Sequence, residues 1–346
     1  MTGADKNESS RVIRGMITKG VGGLYSVAPF PGESAEDELL CSARGKFRLD
    51  GIIPLPGDDV TVEPDTEAGV ASDDPRFVIT SVKERKNVLI RPPLSNLTYM
   101  FAVIPSCRPR PDLLTADKLL AILEHAGIEP IVVVTKSDLD PASAEELRHI
   151  YATAGYRTFV LSAVTGEGCE DLTAFLAEVA SEAEKANGSV RAAFAGVSGA
   201  GKSTLLSKLF PTLSLKTGSV SRKTERGKHT TRCTELFSVP VGDKNIYLAD
   251  TPGFSMLDFT RFDFLPEKDL PMCFREFCDC LGKCRYTGCT HVREEGCAVI
   301  EKIGRGEIAK SRHDNYVAIR DEIKKKPAWK RDKEEKERTK RKEPRV

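Results

Sequence analysis

GVSGAGKST, from Gly196 to Thr204, is the stretch that decides the fold of this 346-residue chain. It matches GxxxxGK[ST], the pattern of a phosphate-binding P-loop, and it lies where a P-loop must lie, between the strand pattern VRAAFAG and the helical pattern LLSKLF. Its glycines let backbone N–H groups converge on a β-phosphate, Lys202 reaches the β- and γ-oxygens, and the Ser203 hydroxyl ligates Mg²⁺. The alternative is a glycine-rich turn that binds nothing. The predicted nucleotide contacts are Gly196, Val197, Ser198, Gly199, Ala200, Gly201, Lys202, Ser203 and Thr204.

Outward from this loop, apolar runs alternate with helical patterns. Runs rich in Val and Ile, such as YMFAVI and PIVVVT, are separated by helical stretches such as LLTADKLLAILEHAG and PASAEELRHIYATAG. This alternation is typical of βαβ units and of a parallel sheet covered on both faces. We therefore expect a doubly wound α/β domain over residues 94–265.

An acidic residue ends the last strand pattern of this domain, NIYLAD, which runs into Asp250-Thr-Pro-Gly253. After a P-loop, such a turn supplies the second Mg²⁺ contact, here Asp250 through water, and a γ-phosphate sensor that ends at Gly253. Between the two motifs lies GKHTT, where Thr230 or Thr231 could complete the Mg²⁺ shell. The sequence does not choose between these two threonines.

The identity of the base depends on a third motif, TKSD, which follows the strand pattern PIVVV. The Asp138 carboxylate can accept from both N1–H and the exocyclic amine of guanine, a donor pair that adenine lacks, and the stem of Lys136 can lie along the ring. This motif therefore favours GTP over ATP. The alternative is that Ser137 or Asp138 caps the helix that starts near Pro141. The residues assigned to base binding are Thr135, Lys136, Ser137 and Asp138.

A fourth motif follows the strand pattern TFVL. There, Ser162 and Ala163 would present a backbone N–H to the guanine O6. The order of the four motifs is unusual, because in Ras-like GTPases the P-loop comes first and the guanine-reading motif last. We therefore predict a circularly permuted GTPase domain, which a compact fold tolerates when its original termini lie close together.

The first part of the chain, residues 1–93, shows short alternating strand patterns and no helical period. Gly and Pro clusters separate these strands, and two acidic loops, PFPGESAEDE and EPDTEAGVASDDP, interrupt them. Such a pattern predicts a small β-barrel, either an OB-fold or an SH3-like barrel. An OB-fold would suit nucleic acid, although the acidic loops would repel phosphate.

The last part, residues 266–346, contains six of the ten cysteines, between Cys273 and Cys297. Their clustering favours a metal site over disulfides. A helical pattern follows from Ile308 to Ile323, and then a tail rich in Lys and Arg that is either a solvated helix or a phosphate-contacting arm.

The overall composition excludes several classes of protein. The 52 Lys and Arg against 51 Asp and Glu leave a net charge of +1, so any nucleic-acid surface must come from local segregation of charge. Hydrophobic side chains make up 40% of the chain, which excludes general disorder. There is neither a long apolar run nor a signal-peptide core, and we expect a cytoplasmic protein with no membrane partner.

The motifs TKSD, LSAVTGEG, GVSGAGKST, GKHTT and DTPGF occur in this order, between a β-barrel pattern and a cysteine cluster. In this order of motifs and flanking segments, the chain resembles the RsgA family, also called YjeQ or YloQ, over nearly its whole length. The resemblance implies three domains: an OB-fold, a permuted GTPase and a mostly helical zinc domain. It further implies GTP hydrolysis stimulated by the 30S ribosomal subunit, binding to 16S rRNA, a role in late maturation and release of assembly factors, and action as a monomer.

The resemblance also implies the zinc ligands. The pattern CxxxxCxHxxxxxC, formed by Cys284, Cys289, His291 and Cys297, is similar to the ligand set of the family. Three cysteines and one histidine make a closed, tetrahedral structural site for one zinc ion. The alternative is that Cys278 and Cys280 replace one or two of these ligands, or that some of the thiols are merely buried.

Hydrolysis needs a group that orients the attacking water. Where Ras-like proteins place Gln, this chain has Phe254, which cannot hydrogen-bond a water. His229, in GKHTT, matches the position where members of the family carry a histidine proposed for this role. It is therefore the candidate catalytic residue, and the alternative is a solvent-facing loop histidine.

Two other functions remain open at this point. The first is a GTP-regulated RNA-binding module whose hydrolysis is incidental. Phe254 favours it, as do the barrel, the zinc module and the basic tail. The second is a permuted GTPase of the large-subunit assembly type, against which the zinc spacing and the N-terminal barrel argue.

Overall fold

The computed structural model describes residues 12–35, 37–49, 51–65, 77–186, 188–211, 234–250, 257, 259, 262 and 264–325. The strands are β1 (Ile13–Val21), β2 (Leu24–Pro29), β3 (Leu39–Ala43), β4 (Asp59–Pro64), β5 (Phe77–Val82), β6 (Val88–Leu89), β7 (Leu94–Ser95), β8 (Tyr99–Pro105), β9 (Glu129–Thr135), β10 (Thr158–Val160), β11 (Arg191–Ala195), β12 (Glu235–Val241) and β13 (Lys244–Asp250). The α-helices are α1 (Lys46–Leu49), α2 (Leu113–Ala126), α3 (Pro141–Thr153), α4 (Cys169–Lys185), α5 (Lys202–Leu209), α6 (Ala298–Gly304) and α7 (Lys310–Lys324). Two 3₁₀ segments, Glu267–Cys273 and Arg275–Cys280, precede α6.

The first five strands close into a barrel. Their order is β1-β2-β3-β5-β4, and β4 returns to pair antiparallel with β1, with Ile13 opposite Val62. Strands β3 and β5 run parallel. Alternate side chains point inward because successive residues of a strand face opposite sides, and Ile17, Val27 and Ile79 form the core with no exposed surface. The barrel is confirmed, and its closure and parallel pair favour the OB-fold over the SH3-like alternative.

The central domain is the predicted doubly wound α/β fold. Its strands lie in the order β10-β9-β8-β11-β13-β12, all parallel except β12, which forms an antiparallel hairpin with β13. Neighbouring residues of each buried strand face opposite layers, so that Val132 packs with α2 and α3 while Val133 packs with α4 and α5. The sheet is thus covered on both faces.

A strand pairing, ion pairs and a hydrogen bond join the barrel to this sheet. Lys19 of β1 lies opposite Glu235 of β12, and their side chains form an ion pair of 2.7 Å. Arg191 of β11, which is largely buried, donates to the Gly57 carbonyl over 2.9 Å and to the Asp59 carboxylate. These contacts fix where the barrel stands relative to the nucleotide-binding strands.

The C-terminal part is mostly helical, as predicted. Its buried Phe274, Phe277 and Tyr316 belong to one apolar cluster with Leu119 and Leu120 of α2. This segment therefore shares its core with the central domain. Among the described residues no helix is both long and apolar enough to cross a membrane.

Candidate nucleotide site and metal centre

The predicted nucleotide motifs that lie within the described residues meet at one edge of the sheet. Strand register places Pro105 opposite Thr135, Val160 opposite Val134, and Ala195 opposite Ala102, so these parallel strands end together. The P-loop follows β11, TKSD follows β9, Ser162 and Ala163 follow β10, and Asp250 ends β13. Ligands of open α/β sheets bind at this carboxyl edge.

The P-loop is shaped by its glycines. A Cβ on Gly196 would lie 2.3 Å from the Val103 carbonyl oxygen of β8, so only glycine fits there. Gly199 and Gly201 have φ of 77° and 93°, in the left-handed region that glycine adopts without strain. Helix α5 begins at Lys202, and its first N–H groups have no partner within the helix. This loop therefore offers a cradle of backbone donors to an anion.

The side chain of Lys202 folds back over the P-loop. Its Nζ donates to the carbonyls of Gly196 over 2.6 Å and Val197 over 2.9 Å. Burial lowers the pKa of the Lys202 ammonium, because a half-buried cation has lost part of its hydration. A phosphate in the cradle would offset that loss. Ser203 and Thr204 follow in the first turn of α5 and are exposed.

The TKSD motif is hydrogen-bonded to the P-loop by two of its side chains. The Thr135 hydroxyl, which is buried, donates to the Ala200 carbonyl over 2.6 Å. The Lys136 ammonium donates to the Gly199 carbonyl over 2.8 Å and to the Arg108 carbonyl. The two motifs are therefore joined directly by side-chain hydrogen bonds.

TKSD does not cap the following helix. The N-cap of α3 is Asp140, whose carboxylate accepts from the Ser143 amide over 3.0 Å. Asp138 is exposed and does not cap α3, whereas the Ser137 hydroxyl is buried without a partner in the described structure. The helix-cap interpretation of this motif was therefore wrong.

Hydrogen bonds within the loop after β10 determine which of its amides remains available. The Ser162 amide donates to the Glu167 carbonyl over 2.9 Å, and the Ser162 hydroxyl accepts from the Thr165 amide over 3.2 Å. These bonds leave the amide of Ala163, for which the described residues supply no acceptor, as the donor that the loop can offer to a guanine O6.

Several residues named in the sequence analysis lie outside the described residues: His229, Thr230, Thr231, Gly253 and Phe254, together with the basic tail from residue 326. Asp250 is described as the last residue of β13, where its backbone pairs with Glu235. The structure therefore brings together the P-loop and both base-reading motifs, with the end of β13 beside them.

The four predicted zinc ligands converge. The three thiol sulfurs and the imidazole of His291 lie within 4.8 Å of one another. The Nδ1 atom of His291 is 3.5 Å from the sulfurs of Cys284 and Cys297, which are 3.9 Å apart. A tetrahedral zinc site has ligand edges of roughly 3.5–3.8 Å, from Zn–S of about 2.3 Å and Zn–N of about 2.0 Å. The donor set and its spacing therefore fit one structural zinc ion.

Two side chains that the sequence reasoning missed support this centre. Glu294 accepts from the amides of Thr290 and Val292, each over 2.9 Å, and from the Arg293 amide over 3.0 Å. Burial alone would raise the pKa of Glu294, but the hydrogen bonds from Thr290 and its neighbours hold this pKa well below its usual range. His313 of α7 lies 2.7 Å from the His291 carbonyl. The segment that carries the four ligands, residues 284–297, is therefore also held by hydrogen bonds with side chains that are not ligands.

The alternative ligands stand apart from the centre. Cys278 is exposed, with its sulfur 3.8 Å from the Phe274 carbonyl, and Cys280 is buried outside the four-residue group. Burial lowers the pKa of His291, which favours the neutral imidazole that binds metals. The described geometry supports the ligand set that the resemblance implied.

Comparisons with known proteins agree with this arrangement. A family model described as RsgA GTPase matches residues 82–260, and one described as RsgA N-terminal domain matches residues 14–70. Two curated relatives, both named small ribosomal subunit biogenesis GTPase RsgA, are each 36% identical to this chain. The relative from Caldanaerobacter subterraneus aligns over 315 residues, 91% of this chain and 97% of its own, and that from Ruminiclostridium cellulolyticum over 319 residues, 91% and 95%.

Two solved structures share the fold. The crystal structure of YjeQ from Thermotoga maritima has a TM-score of 0.71 at 29% identity and covers 91% of this chain and 100% of its own. That of YloQ, described as a circularly permuted GTPase, has a TM-score of 0.68 at 28% identity and covers 94% and 99%.

Proposed function

Because this chain belongs to the RsgA family of GTPases and hydrolyses GTP in the biogenesis of the small ribosomal subunit, we propose that the 30S subunit stimulates its turnover. Hydrolysis then serves as a late-maturation checkpoint at which assembly factors are released. The name shared by the relatives, small ribosomal subunit biogenesis GTPase, carries this proposal. The hydrogen bonds from Thr135 and Lys136 to the P-loop add a structural link between the base-reading motif and the phosphate loop.

The proposed roles of the residues follow from their positions. The P-loop amides and Lys202 hold the phosphates, while Asp138 and the Ala163 amide read guanine. The hydroxyl of Ser203 and the carboxylate of Asp250, with Thr230 or Thr231, are hard oxygen donors that would hold Mg²⁺. Bound there with GTP, Mg²⁺ would neutralise charge on the β- and γ-phosphates.

His229 is the proposed catalytic residue. Phe254 has no group that could hydrogen-bond a water, so another group must orient the nucleophile. An imidazole in the segment before β12 can accept a proton or a hydrogen bond from water at neutral pH. Its ordering by a ribosomal contact would account for slow intrinsic turnover and for stimulation by the subunit.

The three segments keep separate proposed tasks. The barrel, residues 1–93, and the C-terminal part, residues 266–346 with its basic tail, would grip 16S rRNA on either side of the GTPase domain, residues 94–265. One zinc ion held by Cys284, Cys289, His291 and Cys297 would keep the C-terminal part folded. The protein would act in the cytoplasm as a monomer.

The test is the rate of GTP hydrolysis by the full chain with purified 30S subunits, with 50S subunits, and with neither. We expect 30S subunits alone to raise the rate, and the variant Lys202→Ala to abolish it in all three mixtures. Equal rates with and without subunits would reject stimulation and favour a GTP-regulated RNA-binding module whose hydrolysis is incidental. Stimulation by 50S subunits instead would favour a large-subunit assembly role.

A further inference from the structure

Ser106 is a buried residue that joins three elements beside the guanine-reading motif. It follows β8 directly and is 2% exposed. Its amide donates to the Thr135 carbonyl over 2.9 Å, and its hydroxyl donates to the Lys136 carbonyl over 2.8 Å. Its own carbonyl accepts from the hydroxyl of Ser143 on α3 over 3.0 Å. All the hydrogen-bonding groups of Ser106 are therefore directed at this motif or at the helix behind it.

Lys136 needs such support because its backbone is strained. Its φ is +62°, in the left-handed region that non-glycine residues rarely adopt. Its carbonyl accepts from the Ser106 hydroxyl and from the Leu139 amide over 3.0 Å. Both bonds fix the plane of the peptide that follows Lys136. That peptide sets the direction in which the chain proceeds to Asp138, two residues further on.

The two ends of Lys136 are held by the same stretch of chain. Its ammonium contacts the carbonyl of Arg108, two residues beyond Ser106, as well as that of Gly199 in the P-loop. The segment from Ser106 to Arg108 thus anchors Lys136 at its carbonyl and at its side-chain tip. Losing the Ser106 hydroxyl would release the first anchor and leave the second.

We propose that Ser106 is a positioning residue for guanine specificity: its hydroxyl holds Lys136 in the left-handed conformation that aims Asp138 at the base. The inference rests on the proposed guanine-reading role of Lys136 and Asp138. It goes beyond that role because Ser106 lies on another strand and need not touch the nucleotide.

The experiment compares the affinities of the full chain for GDP and for IDP, by competition with a fluorescent guanine nucleotide. IDP lacks the exocyclic amine that Asp138 would accept from, so the ratio of the two affinities measures how well Asp138 is aimed. For Ser106→Ala we expect the ratio of the affinity for GDP to the affinity for IDP to fall about three- to tenfold, the effect of one lost hydrogen bond. Ser106→Thr, which keeps a hydroxyl, should restore it.

Ser95→Ala is the matched control, since Ser95 is also buried and also donates to a backbone carbonyl, that of Pro56 over 3.3 Å, but at the barrel junction. It should leave the ratio unchanged. An unchanged ratio in Ser106→Ala overturns the inference. If Ser106→Ala does not fold, Ser143→Ala decides: a smaller fall in the ratio supports the inference, and no change rejects it.

Asp138→Ala separates failure of this inference from failure of the site. If Asp138→Ala keeps the preference for GDP over IDP, the proposed base-reading site is wrong, and the role of Ser106 is rejected with it. If Asp138→Ala abolishes the preference while Ser106→Ala does not change it, only the role of Ser106 is rejected.

Discussion

Arg312 of α7 donates to the carboxylate of Asp117 on α2 over 2.5 Å, and each of the two side chains is 1% exposed. The guanidinium also donates to both carboxylate oxygens of Glu276, over 2.7 and 3.2 Å. Burial raises the pKa of Asp117, against the opposing effect of Arg312, Asn315 and Tyr151. One buried cation therefore serves two buried carboxylates, and it joins the C-terminal part to the GTPase domain.

We expect Arg312→Met to destabilise the protein by about 3–5 kcal/mol, because it leaves two carboxylates buried without their cation. The free energy of unfolding in urea, followed by circular dichroism, measures the effect. Hydrogen exchange should show the loss concentrated in residues 264–325 and in α2, where the apolar core is shared.

Lys310→Met is the matched control, since Lys310 pairs with Asp314 on the same helix but their side chains are 78% and 56% exposed. Exposed pairs contribute about 0–1 kcal/mol. Equal losses in the two variants would show that the buried cluster does not hold the domains together.

The sequence could predict those features of the molecule whose partners are close along the chain. A P-loop needs only a strand, a glycine-rich turn and a helix in succession, and the zinc ligands lie within fourteen consecutive residues, 284–297. Arg312 and Asp117 are 195 residues apart, and charged residues are usually exposed, so neither their pairing nor their burial could be predicted from the sequence. The hydrogen bond from Thr135 to Ala200 could not be predicted either, because its partners are 65 residues apart along the chain.

Gly196→Ala tests the packing of the P-loop against β8. A Cβ there would meet the Val103 carbonyl oxygen at 2.3 Å, which backbone atoms must move to relieve. We expect a loss of about 1–3 kcal/mol in stability and a lower affinity for GDP, because the displaced atoms belong to the phosphate cradle. Thermal unfolding and nucleotide titration measure the two effects. Gly304→Ala, where a Cβ meets nothing within 4 Å, should change neither, and similar effects in both variants would contradict this account.

Cys289→Ser should remove the zinc ion. With three ligands left, we expect the zinc content measured by atomic emission to fall from about one ion per chain to near zero, since a structural site needs all four. The C-terminal part should lose protection from hydrogen exchange because metal binding contributes to its folding. Cys278→Ser changes an exposed thiol outside the ligand group and should keep the metal. Retention of zinc in Cys289→Ser, or its loss in Cys278→Ser, would reassign the ligands.

His229→Ala should separate binding from turnover. The imidazole is proposed to orient water and not to hold the nucleotide, so we expect the affinity for GTP to stay within about twofold. Hydrolysis stimulated by 30S subunits should fall at least about tenfold, a modest share of what a positioned acid–base group contributes. Both quantities are measured on the full chain, with His149→Ala as the control, because His149 is an exposed histidine of α3 away from the sheet edge. If the stimulated rate of His229→Ala equals that of His149→Ala, His229 has no part in the mechanism, and the water must be oriented by another residue or by the ribosome.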